Sequence, residues 1–394
     1  MPSNLKGNIW KYALLQISSK RVFAAILGAY YLTIPGVTPW WIGTILLSGS
    51  LAAFIFEIPS GYVADKIGHK TALVISRTLI LFSTLSFLLA ENIPFLILGS
   101  VFMSMGSAFK SGTGSAFMHE TLRGLKREEE YSTVMGKISS IGFAVPIILM
   151  ASVPFLVSIS FKAPFLISLI SDVVGLCAAI SLVSPHVSQE HIEEVGVTNF
   201  LQVAREGHRL GFFRYALFSG IILGVLIAVG GFRAPYQTFL QIPVVWFGVL
   251  FGVGRAFAAL MLAYSGKIKR AMKEITILYK FQLILFSVLF FALGVLSTWW
   301  AVAAVFIVIN AFQWGLDKVD DSFLLDIIKA SKFKATLLSI WSQIKEMATA
   351  VFAFGIGFVV DKTSYQYGFL AALAAFLIIL LPLYNYIVKT RRKF

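Results

Sequence analysis

Apolar residues fill long stretches of this chain, and polar residues gather in the short intervals between them. Reading those runs between charge or proline breaks predicts helices at 10–34, 40–64, 71–90, 94–118, 131–157 and 163–184. A second set follows at 210–232, 243–265, 274–296, 299–326, 335–360 and 364–388. Crossing a hydrocarbon core of about 30 Å takes roughly 20 apolar residues in helical form. Twelve such spans use nearly all of the 394 residues. The pattern therefore predicts an all-α membrane protein of twelve transmembrane helices. No cleavable signal peptide is expected, because Met1 to Lys11 is polar and no small-residue cleavage site follows a short apolar region.

The longest internal polar stretch, 185–209, is rich in His, Glu and Gln and divides six spans from six. Such a short stretch cannot bury a core of its own, so it reads as a cytoplasmic linker between an N-terminal half, 1–184, and a C-terminal half, 210–394. The halves echo one another. Span 2 ends in Gly61, Asp65-Lys66 and Gly68-His69-Lys70, and span 8 ends in Gly266-Lys267 with Lys269-Arg270. A parallel repeat of two six-helix halves leaves this kind of trace, and in that arrangement a substrate sits between the halves near the bilayer midplane.

Composition agrees with a lipid solvent. Hydrophobic residues make up 58% and charged residues 13%, against about 25% charged in soluble domains, and the mean hydropathy is +0.84. The net charge of +14 raises the question of a nucleic-acid partner, which the placement of the cations answers. With both termini cytoplasmic, the inner loops hold Lys66, Lys70, Arg123, Lys126, Arg127, Arg205, Arg209, Lys267, Lys269, Arg270, Lys273, Lys329, Lys332 and Lys334. The outer loops offer Lys162, Arg233 and Lys362. This is a topology signal of a multi-pass protein of the cell inner membrane, not a nucleic-acid surface. The single cysteine, Cys177, lies in an apolar run, which rules out an intrachain disulfide and suggests small core filler. Trp40, Trp41, Trp299 and Trp300 suit an interfacial aromatic belt.

The run Phe56 to Lys70, FEIPSGYVADKIGHK, contains Gly61, Asp65, Lys66, Gly68 and Lys70 at the spacing G-x-x-x-D-[RK]-x-G-x-K. Physically, Gly61 would remove a side chain where two helices approach. Gly68 permits a tight turn, and Asp65 suits the positive end of a neighbouring helix. Together they could close a gate reversibly. The run resembles the helix 2–3 signature of the major facilitator superfamily, with His69 departing from the usual arginine or lysine. It resembles the branch with an E-[IV]-P-[TS]-G run, as do Ser111-Gly112 through Thr121-Leu122, Pro235-Tyr236, and Lys334-Ala335-Thr336 with Ser339. Glu120 and Lys334 stand where that branch more often shows aspartate and arginine. The resemblance implies a gating role for Gly61, Asp65, Lys66, Gly68, Lys70 and Glu120, with Asp65 facing the helix that starts near Ala335. The drug-antiporter pattern of helix 5 is not reproduced, since Gly142 and Pro146 lack the Gly-Pro pair and closing glycines.

Ionisable residues at membrane depth are costly and mark cavities or pathways. Lys20 and Arg21 fall near the middle of span 1, because Val22 to Ile34 is too short to cross alone. Lys110 sits in span 4 beside Ser107, Ser111 and Thr113. The resemblance, in which helices 1, 4, 7 and 10 line the cavity, places these cations on its wall. Adjacent residues point about 100° apart on a helix. One of Lys20 and Arg21 is then expected to face substrate, with Arg21 favoured for its bidentate grip. The alternative is that these cations pair with acids elsewhere in the bundle or reach for the surface.

In span 10, Asn310, Gln313, Trp314, Asp317 and Asp321 share one helical face. This reads as a pore wall, with Trp314 as a stacking surface and Asp317 or Asp321 as proton carrier. Lys318 and Asp320 lie off that stripe, where they suit a structural pair with neighbours. Alternatively Asp320, Asp321 and Asp326 mark only a helix end. Lys137, Asp172, Arg255, Lys280, Lys345 and Glu346 also fall within spans.

No phosphate-binding loop is present, because Gly68-His69-Lys70-Thr71 lacks lysine directly after the glycine. His119-Glu120 are adjacent without metal-ligand spacing, and His186 and His191 sit in the linker. Neither enzyme chemistry, nor a metal, nor a cofactor is expected. The expectation is a monomeric secondary transporter of a small organic solute, coupled to protons or another ion. An anionic metabolite, a siderophore-like chelator or a phosphorylated compound suits the cations of spans 1 and 4. Drug efflux is the alternative within transport, and a non-transporting membrane scaffold or sensor is the alternative outside it.

Overall fold

The computed structural model describes residues 2–185, 200–329, 331 and 333–391. The described residues are helical, and ten of their helical segments are long and apolar enough to cross a membrane. The remaining two predicted spans are also present. One is a 29-residue helix, and the other is broken into pieces.

Contacts divide the chain into two compact units, Met1–Ala25 with Ala52–Val197, and Ile26–Leu51 with Thr198–Phe394. The boundary differs from the predicted halves, because the segment from Ile26 to Leu51 joins the C-terminal unit. Small residues explain this. A Cβ on Gly28 would run 2.6 Å from Pro235 Cδ, and one on Gly43 would meet the Ala353 carbonyl at 2.6 Å, so these backbones already lie in contact.

The N-terminal unit contains α1 (Pro2–Ser18), most of α3 (Pro39–Ile67), α4 (His69–Leu88) and α5 (Ile93–Lys110). It continues with α6 (Thr113–Gly124), α7 (Tyr131–Ile159) and α8 (Ala163–Ser181). The Asn92 side chain caps α5 by accepting from the Phe95 N–H. At Ser111-Gly112 the chain breaks before α6, with Gly112 at φ +71°, a conformation glycine adopts without strain.

Span 1 is not the uninterrupted helix predicted over 10–34. It ends at Ser18 and resumes as a 3-10 turn over Val22–Ala25 and the short α2 (Leu27–Tyr31). The Leu15 carbonyl explains the stop: it accepts from Arg77 Nη2 at 2.5 Å and Ser18 Oγ at 3.0 Å, while the Ser19 N–H turns to Gln16. Beyond the break the Val22 N–H donates to Ser168 Oγ. Non-helical backbone survives at membrane depth only where protein satisfies it in this way.

The C-terminal unit contains α9 (Phe200–Arg209), α10 (Phe212–Gly231), α11 (Arg233–Phe239), α12 (Val245–Ala263) and α13 (Ser265–Met272). After these come α14 (Ile275–Val295), α15 (Trp299–Gly315), α16 (Asp317–Ile328), α17 (Lys334–Lys362) and α18 (Tyr365–Arg391). Part of the predicted linker is helical in α9. His186 and His191 lie outside the described residues. Cys177 is exposed, not the core filler predicted.

A Cβ on Gly224 would fall 2.5 Å from Ala348 Cβ and 2.6 Å from the Lys345 carbonyl, so α10 and α17 touch there through backbone. Gly224→Val is expected to lower stability by about 1–3 kcal/mol through overpacking. Thermal unfolding in detergent checks this, with the wild-type melting temperature as the contrary result.

Candidate functional site

Charge is buried in each unit. In the N-terminal unit the focus is Asp172 on α8, with 0% exposure. It accepts from Arg21 Nη1 at 2.5 Å and from Thr84 Oγ1 at 2.6 Å. Arg21 sits in the break of span 1, so the expected substrate-facing arginine is already held by a carboxylate, as the alternative reading of the buried cations had it. Arg77 on α4, only 1% exposed, caps Leu15 close by. Lys110, at the last turn of α5, donates to Ser19 Oγ at 3.0 Å, and Lys20 lies half-buried in the same break. Arg77, Lys20 and Arg21 are all near enough to act on Lys110 electrostatically. The cluster thus holds more positive than negative charge. Arg77 escaped the sequence reading, although a lone arginine in an apolar span is the same signal that singled out Lys110.

In the C-terminal unit the polar stripe is interrupted, because the predicted span 10 breaks at Leu316 between α15 and α16. Asn310, 8% exposed, packs on Gly254 of α12, whose Cβ would lie 3.0 Å away. The Trp314 ring carries Arg255 on one face, the guanidinium carbon 3.9 Å from its centroid. Gln313 is half-buried. Arg233, assigned to an outer loop from the sequence, is buried on α11. It lies 4.5 Å from the Phe251 centroid and donates to Gln237 Oε1 at 3.2 Å.

The acids of α16 separate into two kinds. Asp317 and Asp321 share Lys318, at 3.2 Å and 2.5 Å, so Lys318 pairs with its neighbours from off the stripe. Asp320 is 2% exposed. Its Oδ2 accepts from Gln282 Nε2 at 2.6 Å, and its Oδ1 has no hydrogen-bond partner among the described residues. Asp326 pairs with Lys269 at 2.6 Å, and Lys345 pairs with Glu346 at 3.3 Å.

In the signature loop, Gly68 adopts φ +96° and opens α4, which supplies the tight turn. His69 Nε2 lies 3.1 Å from Glu120 Oε1, Lys66 sits over the Tyr62 ring, and Lys70 is half-buried while Asp65 is exposed. Among the described residues a Cβ on Gly61 would meet nothing within 4 Å. The close helix approach predicted at Gly61 is therefore absent, and its side is open. His119 packs edge-on against Tyr131.

Membrane-length helices, charge buried within each unit and this loop together suit a membrane transport protein of the secondary-transporter class. The chain belongs to the Major Facilitator Superfamily, whose sequence profile matches residues 12–317. Among solved structures it is similar to the nucleoside transporter NupG, with TM-score 0.67, 14% identity, and coverage of 96% of this chain and 98% of that one. It is also similar to a POT family transporter in complex with 5-aminolevulinic acid, with TM-score 0.72, 14% identity, and coverage of 99% and 97%. A peptide transporter POT in complex with sulfate gives TM-score 0.70, 11% identity, and coverage of 99% and 95%. At these identities the likeness establishes the fold. No curated protein shows significant sequence similarity to the chain.

Proposed function

We propose that the protein moves a small organic anion across the cell inner membrane by alternating access, with proton flow as the driving force and both termini cytoplasmic. The observation that carries this reading is the surplus of cations in the N-terminal unit: Arg21, Arg77 and Lys110 gather near a single buried carboxylate, Asp172. Uncompensated positive charge inside a membrane bundle is costly and is kept where it serves a pathway. Asp172 answers Arg21, and the Leu15 carbonyl answers Arg77. Among the described residues Lys110 has only a neutral hydroxyl. It is therefore the cation with most to gain from a carboxylate or phosphate, and it replaces Arg21 as the leading substrate contact.

Proteoliposomes holding the full chain test the reading. Saturable uptake or exchange of an organic acid, a phosphorylated compound or a ferric chelator is expected, stimulated by a pH gradient. Flux of lipophilic cations alone would favour drug efflux, and no flux under any gradient or exchange condition would favour a scaffold or sensor. Lys110→Ala should weaken substrate binding at least tenfold, about 1.4 kcal/mol. The ligand-free variant should melt no lower than wild type, because Ser19 Oγ keeps its bond to the Gln16 carbonyl and like-charge crowding is relieved. Unchanged affinity would remove Lys110 from the substrate site.

A further inference from the structure

Resting on the reading that the cargo is an anion, the geometry of the C-terminal unit points to a second subsite: Arg255 and Trp314, backed by Arg233, Gln237 and Asn310, bind an oxyanion carried on a flat aromatic ring.

A ladder of alternating cations and rings runs inward from the unit's surface. Trp314 is 37% exposed. Arg255 lies 3.9 Å from its centroid and 5.1 Å from that of Phe251, and Arg233 lies 4.5 Å from the same Phe251 ring. No hydrogen bond or ion pair engages Arg255 among the described residues; its partners are the two aromatic faces. Ring faces relieve part of the cost of a desolvated guanidinium, yet its five N–H donors remain available in a fork that matches carboxylate or phosphate.

Two orphaned polar atoms lie at the inner end. Gln237 is fully buried, and among the described residues its Nε2 has no partner and Asn310 Oδ1 has none either. Both residues line one crevice with Arg233, Phe251 and Phe306, too tight in this state to admit water. Leaving a buried donor unpaired is costly, so the crevice stores a demand that an entering ligand can meet. Gln237 Nε2 asks for an acceptor, as Arg255 does, and Asn310 Oδ1 asks for a donor on the ligand. The flat ring follows from Trp314, whose face becomes available when the Arg255 fork swings from the indole to an anion.

The test is equilibrium binding to the purified full chain, with benzoate and phenyl phosphate as aryl probes and acetate and inorganic phosphate as ring-free controls. Benzoate and phenyl phosphate distinguish a carboxylate from a phosphate preference. The aryl probe is expected to bind at least tenfold tighter than its control. Arg255→Gln should weaken it at least tenfold, Arg255→Lys should restore part of the loss, and Trp314→Leu should erase the aryl preference. If Arg255→Gln does not yield folded protein, the lysine and leucine variants decide. Wild-type affinity in those variants, or equal binding of aryl and ring-free anions, overturns the subsite. If Lys110→Ala abolishes binding while Arg255→Gln leaves it intact, the subsite falls and the anion-transport reading stands. If no anion binds the wild type at all, both fall.

Discussion

Replacing Asp172 by alanine is expected to cost about 3–5 kcal/mol, the penalty for removing one partner of a buried ion pair. The loss exceeds that of an ordinary cavity because three groups depend on this carboxylate. Arg21 loses its counter-ion at 2.5 Å, the Thr84 hydroxyl loses its acceptor at 2.6 Å, and Arg77 is left in a cluster with no negative charge. Asp172→Asn keeps the shape and one acceptor for Thr84, so it should fall between alanine and wild type. Removing both partners, in Arg21→Met with Asp172→Leu, should recover part of the loss and give a coupling energy well above the few tenths of a kcal/mol expected of independent sites. Thermal unfolding in detergent of these three variants, with Arg21→Met and Asp172→Leu as the single replacements of the cycle, measures the series. An Asp172→Ala protein that melts like wild type would show that the pair is not structural, and would return Arg21 to the substrate site.

The sequence made the membrane architecture legible because lipid imposes one rule everywhere: backbone polar groups are satisfied within the helix, and spans are about 20 residues long. Exceptions to that rule had to come from elsewhere in the fold. Ser18 and Ser19 bond back to Leu15 and Gln16, but Ser48 bonds back to Thr44 inside unbroken α3, so such bonds do not by themselves announce the break in span 1. The break depends on Arg77 and Ser168, which lie 62 and 146 residues from their backbone partners. Charge at depth was legible residue by residue, but pairing was not, because periodicity on one helix says nothing about the helix beside it. Lys318 shows the limit even within a helix. Its Cα direction lies off the polar stripe, and its long stem still carries the ammonium to Asp317 and Asp321. Gly61 failed for a related reason: a glycine allows a close approach without requiring one. Arg233 was read from its place between hydrophobic runs as a loop cation, whereas the fold buries it beside Phe251.

Substituting Asp320 by asparagine is expected to abolish accumulation driven by a pH gradient while leaving substrate binding and substrate-for-substrate exchange intact. The stripe on the sequence directed attention to Asp317 as proton carrier, with Asp321 next. Both, however, are neighbours of Lys318 at ion-pair distance, so part of their charge is balanced within α16 itself. Asp320 has no such balance. It is buried, its contact is the neutral amide of Gln282 on α14, and among the described residues Oδ1 is left without a partner. A group that gains or loses a proton there changes the net charge of the C-terminal interior, and such a change can bias one conformation over another. Losing a single coupled proton removes a driving force of 1.36 kcal/mol per pH unit. Accumulation across a gradient of one unit should therefore drop about tenfold, to equilibration. Asparagine keeps the size of the side chain and can still accept from Gln282, so folding and exchange should persist. Asp317→Asn and Asp321→Asn each leave Lys318 one carboxylate and should retain most of the pH-driven uptake. Uphill uptake surviving in Asp320→Asn but vanishing in Asp317→Asn would return the proton to the stripe. The shared lysine would then be the element that moves between states.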